Sequence, residues 1–198
     1  EFYNIPVWGE GYFDINSLGH VIVRPDNQIQ IDLYDVAERL IQQGVSLPVL
    51  VRFPQLLQAR VKQLVQAFES AVEKSQYAIE HIPFYPLKVN QQGTVVEHIL
   101  AADVRAIGLE IGTKTELLAA LGLLDSESGM LICNGYKDRA YIRLALFAQD
   151  MNIQTFLVVE KLSELELIIE ESKRLDIQAT LGVRIRLHSI AAGKWQNS

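Results

Sequence analysis

Short apolar, strand-like runs start at about positions 84, 106, 130, 155 and 180, a spacing of about 22 to 25 residues that accommodates one strand, one loop and one helix. Amphipathic stretches fill the intervals. Two of them open with capping-box patterns, Thr113-x-x-Glu116 and Ser163-x-x-Glu166, in which hydroxyl and carboxylate satisfy opposing end amides. A further strand-like run at 49–53 precedes Pro54, after which Leu57, Val61, Leu64, Phe68 and Val72 fall on one helical face. Strands that alternate with helices specify an α/β architecture with a parallel sheet. Two architectures fit five such units: part of a (β/α)₈ barrel, which needs eight, or a complete five-stranded doubly wound sheet.

Residues 1–46 follow another rule. Tyr12-Phe13-Asp14-Ile15-Asn16 and His20-Val21-Ile22-Val23-Arg24 alternate apolar and polar side chains around Ser17-Leu18-Gly19, which predicts a β-hairpin. A lone hairpin is marginal in water, so this one must pack on something else. From Asp32 to Gly44, Leu33, Val36, Ala37, Leu40 and Ile41 recur at helical spacing, with a glycine at the stop. The expected division is therefore a hairpin and helix over 1–46 and a βα segment over 47–198.

Composition removes several function classes. Eighteen Lys+Arg against 24 Asp+Glu leave a net charge of −6 and a pI near 5.2, the opposite of a basic nucleic-acid footprint. The single cysteine, Cys133, has no intramolecular disulfide partner. The longest apolar run, 117–124, is far short of the roughly 18 to 20 residues that cross a bilayer, and no signal peptide opens the chain. A soluble, cytoplasmic protein is expected. An opening Glu1 in place of methionine and a polar tail to Ser198 read as a sequence trimmed at one or both ends.

Polar residues inside or just after buried parallel strands carry the functional information, because such positions are costly unless paired or used. Lys88 falls near the end of the first run, Glu110 on the second, Asn134 after the third, Glu160 after the fourth, and Arg184 and Arg186 in the fifth. In both candidate architectures ligands bind at that edge. A lysine desolvated by its strand is a candidate amine nucleophile toward an aldehyde, while a plain ion pair with Glu110 explains the same positions. Cys133 reads as a small buried hydrophobe. His20, His81, His98 and His188 show no metal-ligand spacing, and G-x-S-x-G and both common phosphate-binding glycine loops are absent. Asp138-Arg139 and the acidic run 164–171 read as solvated helix faces.

The stretch Tyr85-Pro86-Leu87-Lys88-Val89-Asn90-Gln91-Gln92 resembles the cofactor-lysine motif of the long biosynthetic arginine decarboxylases, members of the alanine-racemase-like, fold-type III group. The likeness runs in order through Trp8-Gly9, Gly19-His20, Phe53-Pro54-Gln55, Gly108-Leu109-Glu110 and Lys114-Thr115-Glu116-Leu117. It continues through Cys133-Asn134-Gly135-Tyr136-Lys137-Asp138-Arg139, Val159-Glu160-Lys161, Gly182-Val183-Arg184-Ile185-Arg186 and Gly193-Lys194-Trp195-Gln196.

The resemblance implies the N-terminal half of a pyridoxal-phosphate-binding (β/α)₈ barrel, about five βα units, preceded by a β segment of a second domain. It implies that Lys88 holds pyridoxal 5′-phosphate as a Schiff base, that Glu110 is the acidic residue near it, that Arg184 borders the cofactor and, by position, that Asn134 lies beside it. L-arginine would lose CO₂ to give agmatine for polyamine synthesis, with active sites at the interface of a homo-oligomer. A magnesium requirement belongs to the resemblance, but no ligand set for it is visible. Later strands, the glycine-rich phosphate loop and the C-terminal domain are absent from these 198 residues, so this chain alone is expected to bind the cofactor weakly and not to decarboxylate. The alternatives are a related decarboxylase of diaminopimelate, ornithine or carboxynorspermidine, a non-catalytic homologue that pairs with the full enzyme through its open sheet edge, and an open-sheet nucleotide-binding protein.

Overall fold

The computed structural model describes residues 3–26, 29–126 and 128–185. It opens with a four-residue helical turn, α1 (Ile5–Trp8), and a three-stranded antiparallel sheet of β1 (Phe13–Ile15), β2 (Val21–Val23) and β3 (Ile31–Asp32). Phe13 lies opposite Val23 and Ile15 opposite Val21, the expected hairpin, and β3 adds a short third strand that the alternation did not reveal. Asp32 caps the next helix, α2 (Leu33–Gln42), by accepting from the amides of Tyr34 and Asp35. Its other oxygen accepts from Asn16 Nδ2 at 2.8 Å and faces His20 Nδ1 at 2.9 Å, which ties the hairpin to the helix.

The expected strand at 49–53 is not formed. Val49, Leu50 and Val51 are exposed and have no ladder partner among the described residues, and an extended run without a neighbour is not a strand. Helix α3 (Pro54–Ser75) begins on Pro54 as expected, with proline pre-set for the first turn. Its apolar face is only partly covered: Val65 is buried, whereas Leu64 and Phe68 are half exposed. Arg60 on α3 pairs with Glu10 and lies over the Tyr12 ring at 5.5 Å, linking the helix to the small sheet.

Five parallel strands follow: β4 (Phe84–Pro86), β5 (Gly108–Ile111), β6 (Met130–Cys133), β7 (Gln154–Val159) and β8 (Thr180–Val183). Helices α4 (Gly93–Leu100), α5 (Lys114–Leu121), α6 (Arg139–Asp150) and α7 (Leu162–Leu175) occupy the intervals. The spatial order β4-β5-β6-β7-β8 is the chain order. A doubly wound sheet reverses direction at a switch point, so this order excludes that alternative and selects the singly wound arrangement of a βα barrel. Among the described residues the five strands form an arc of such a barrel, with β4 and β8 at its edges.

Period-two alternation decides what faces what. Leu109 and Ile111 of β5, Leu131 and Cys133 of β6 and Leu157 of β7 pack against Leu117, Ile142, Ala145, Leu146 and Ile168 of the helices in a fully buried core. The intervening residues, Glu110, Ile132 and Val158, turn to the concave side. Strand ends are shorter than the apolar runs: β4 stops at Pro86 and a 3₁₀ turn (Leu87–Val89) takes over, and β8 stops at Val183. Arg186, His188 and the 193–196 motif lie outside the described residues. Among the described residues, no helix is long and apolar enough to cross a membrane.

Candidate functional site

The concave side of the arc holds a cleft of about 810 Å³, lined by Lys88, Glu110, Asn134, Glu160 and Arg184 together with Pro86, Ile132 and Val158. Its volume falls within the range of small-molecule sites, and it opens at the C-terminal edge of the strands, where βα loops converge. The four residues to which the resemblance gives a place at the cofactor, Lys88, Glu110, Asn134 and Arg184, therefore meet in one cleft.

Their placement follows from register. Pro86 sits opposite Glu110, and Glu110 opposite Ile132, so the turn that follows β4 carries Lys88 over the Glu110 carboxylate. Lys88 Nζ lies 3.6 Å from Glu110 Oε2. The expected desolvation is not present: Lys88 belongs to the 3₁₀ turn rather than the strand, and its side chain is 68% exposed into the cleft. Glu110 is 13% exposed, and its second oxygen accepts from Asn134 Nδ2 at 2.7 Å. Two β-strand ends thus hold one carboxylate between a cation and an amide.

The opposite wall is built in the same way. Glu160 accepts from Gly135 N at 2.7 Å and faces Arg184 Nη1 at 3.5 Å. Gly135 has φ +72°, and a Cβ there would lie 2.3 Å from the carbonyl oxygen of Gly112, so glycine is required for the ends of β5 and β6 to approach. Tyr136, next along, presents its ring to the cleft with Lys161 Nζ 3.4 Å above it.

Beneath this layer lie charged groups that the sequence did not mark as buried. Lys137 has a fully buried side chain, donates to Gly135 O at 2.6 Å and pairs with Glu164 at 3.4 Å. Burial pushes the Glu164 carboxyl up, but the amides of Glu160 and Lys137 and the Lys137 ammonium outweigh it and hold it below the ordinary range. The capping box expected at Ser163-x-x-Glu166 is replaced by Lys161 at the cap position and Glu164 reaching back to Glu160 N at 2.9 Å. The expected box at Thr113 forms on the hydroxyl side, with Glu116 N donating to Thr113 Oγ1 at 3.1 Å, but the Glu116 carboxylate reaches past Thr113 to Gly112 N.

The acidic run 164–171 is a solvated face only in part: Glu166 and Glu170 are exposed, whereas Glu164 and Glu171 are buried. Glu171 is fully buried and receives Arg139 and Arg143, which lock α6 to α7, together with Arg174 of its own helix. Its neighbour in the expectation, Asp138, caps α6 through Tyr141 N at 2.9 Å and pairs with Lys114 at 2.6 Å. A helical period cannot distinguish a carboxylate facing water from one facing two arginines of the neighbouring helix.

Cys133 is buried behind β6, and its thiol is pushed up to about 12 by desolvation, which suits packing rather than nucleophilic work. Among the described residues, the one group of three metal-capable side chains with closely spaced ligand atoms is His20, Asp32 and Asp35, in the small sheet and α2 rather than the cleft. Asp32 is already engaged there as a helix cap.

A family model described as "Pyridoxal-dependent decarboxylase, pyridoxal binding domain" matches residues 58–198. The chain is 48% identical over 198 residues to a biosynthetic arginine decarboxylase of Pseudomonas putida, covering 99% of this chain and 31% of that protein. Its identity to the biosynthetic arginine decarboxylase of Shewanella woodyi is 46% over 203 residues, covering 99% of this chain and 32% of that protein. Among solved structures, the biosynthetic arginine decarboxylase of Campylobacter jejuni superposes with a TM-score of 0.84 at 31% identity, covering 95% of this chain and 32% of that one. The chain thus spans about a third of the length of the relatives it matches.

Proposed function

The chain belongs to the pyridoxal-dependent decarboxylase family, and from that premise we propose that its cleft is the cofactor-bearing part of an arginine decarboxylase. The observation that carries this reading is the Lys88 amine, exposed in a cleft at the strand ends and 3.6 Å from a carboxylate that Asn134 holds still. The donor set fits pyridoxal 5′-phosphate: a primary amine reactive toward an aldehyde, a carboxylate beside it and, on the far wall, the Arg184 guanidinium for an anionic group. Lys88 is the group that would hold the cofactor. Bound there, the cofactor supplies the electron sink that loss of a carboxylate as CO₂ requires.

The residues of this chain do the placing. Glu110 keeps the Lys88 ammonium over the strand ends and can take part in moving its proton. Asn134 fixes the Glu110 carboxylate by occupying its second oxygen. Glu160 restrains Arg184 only loosely, at 3.5 Å, so that the guanidinium remains available to an anion. In the full reaction arginine loses its carboxylate and gains a proton at Cα, giving agmatine. Carried with this reading are residues 1–46 as part of a second, β-rich domain, a homo-oligomer with shared active sites, and a cytoplasmic role in polyamine synthesis. A magnesium requirement finds no support in the cleft.

The test is borohydride reduction of the native-length polypeptide with pyridoxal phosphate, followed by peptide mapping, and comparison of kcat/KM for arginine, ornithine, diaminopimelate and carboxynorspermidine. A reduced pyridoxyl group on Lys88 and preference for arginine are expected. Label on another lysine, or none, overturns the reading; preference for another amino acid leaves the cofactor site and corrects the substrate.

A further inference from the structure

Glu116 and Glu164 hold the same place in two βα units, the third residue of α5 and of α7. Both are buried, at 8% and 3% exposure. One oxygen of each accepts an amide from four residues back, at the end of the preceding strand: Gly112 N at 2.7 Å for Glu116 and Glu160 N at 2.9 Å for Glu164. The other oxygen reaches sideways to the loop after the neighbouring strand. Gln91 Nε2 donates to Glu116 at 2.8 Å, and Lys137 N donates to Glu164 at 3.0 Å. Capping a helix needs only the first contact. The second ties one βα loop to the next, and its recurrence two units apart marks it as part of the build.

At Glu116 the tie has a particular outcome. Gln91 follows Lys88 by three residues, and Gly112 follows Glu110 by two. The ladder fixes Pro86 opposite Glu110, but beyond Pro86 the chain leaves the sheet and the turn bearing Lys88 has no ladder bonds of its own. Holding that turn are Leu87 in the core, the Lys88–Glu110 ion pair at 3.6 Å, the Tyr85 hydroxyl donating to Asn90 O at 3.1 Å, and the bridge from Gln91 through Glu116 to Gly112. Removing the bridge takes away the turn's tie to Gly112 while leaving the side chains of Lys88, Glu110, Asn134 and Arg184 unaltered.

We propose that Glu116 is a positioning residue for the Lys88 amine, setting its place over Glu110 by holding Gln91 against Gly112. The proposal rests on the reading of Lys88 as the cofactor-holding group. Reactive groups held within about 0.5 Å by a supporting shell lose performance when that shell loosens, and loss of such outer partners typically costs 10- to 100-fold.

The experiment compares the native-length polypeptide with Glu116→Gln, Gln91→Ala, the two combined, and Thr113→Ala. Thr113→Ala removes the α5 cap and leaves the bridge. Three quantities are read: the pyridoxal phosphate concentration that half-labels Lys88 under borohydride, the pH midpoint of the bound-cofactor absorbance, and the thermal midpoint. Glu116→Gln and Gln91→Ala should each raise the half-labelling concentration about tenfold and displace the absorbance midpoint, and the double variant should be no worse than Glu116→Gln. Thr113→Ala should lower the thermal midpoint and leave both cofactor readouts in place. Wild-type cofactor readouts in Gln91→Ala and Glu116→Gln, or an equal shift in Thr113→Ala, overturn the positioning role while Lys88 labelling of the unaltered chain preserves the cofactor reading. No label on Lys88 in the unaltered chain overturns both. Gln91 is exposed, so its variant carries the test if Glu116→Gln does not fold.

Discussion

Replacing Gly135 with alanine separates two costs that are usually measured together. Gly19, Gly44 and Gly135 all have positive φ, at +82°, +80° and +72°, but a Cβ on Gly19 or Gly44 meets nothing within 4 Å, whereas on Gly135 it lies 2.3 Å from Gly112 O. The left-handed backbone alone costs alanine about 1–2 kcal/mol, and that is the whole penalty expected of Gly19→Ala and Gly44→Ala. In Gly135→Ala the ends of β5 and β6 must also part by about 0.7 Å to reach 3.0 Å, the closest approach real Cβ atoms make. That movement strains the bond from Gly135 N to the Glu160 carboxylate at 2.7 Å. A hydrogen bond to a charged group is worth about 1.5–3 kcal/mol, which brings the expected loss for Gly135→Ala to about 2.5–5 kcal/mol. Urea unfolding of the three variants, compared at constant m, measures the difference directly. A Gly135→Ala loss within about 0.5 kcal/mol of the other two would refute the claim that close approach of the strand ends, rather than backbone angle, demands this glycine.

Two further outcomes follow from the buried groups. The hydrogen bond from Arg143, opposed by burial and joined by Arg139 and Arg174, lowers the Glu171 carboxyl to about 2, against an ordinary 4.5. The unfolded chain therefore binds the extra proton first, so this group's stabilisation is complete above about pH 4.5 and is lost as the pH falls toward 2; Glu171→Gln should flatten that limb of a stability-against-pH curve, and an unchanged slope would contradict the assignment. Cys133, with its thiol pushed up to about 12, should resist a thiol-specific disulfide reagent at pH 8 in the folded protein and react fully in denaturant, and rapid labelling of the folded chain would show that β6 is not sealed by the helices.

The residues that lie on strand ends were legible because their position depends on a spacing that the sequence displays. Lys88, Glu110, Asn134, Glu160 and Arg184 lie on or just after five apolar runs, and parallel pairing in chain order brings them together without further information. What could not be read was anything set by the neighbour rather than the period. Val49, Leu50 and Val51 have the composition of a strand and no partner to make them one. Glu164 and Glu171 sit in a run of acids that looks solvated until α6 supplies Arg139 and Arg143, and the loop after β6 supplies Lys137. Glu116 was legible as half of a capping box, but its bond to Gln91 spans 25 residues and left no local trace.

The unbroken strand order also bears on how the chain reaches this arrangement. Each strand of the arc pairs with one only 22 to 24 residues away in sequence. Each crossover closes a loop of one βα unit, so the loop entropy lost per pairing is the same small amount along the arc. A ribosome releasing this segment presents each βα unit with a surface already laid down by the unit before it, so the arc can assemble in step with synthesis. Lys88 emerges just after the first strand of the series, Glu110 arrives on the second and Asn134 just after the third.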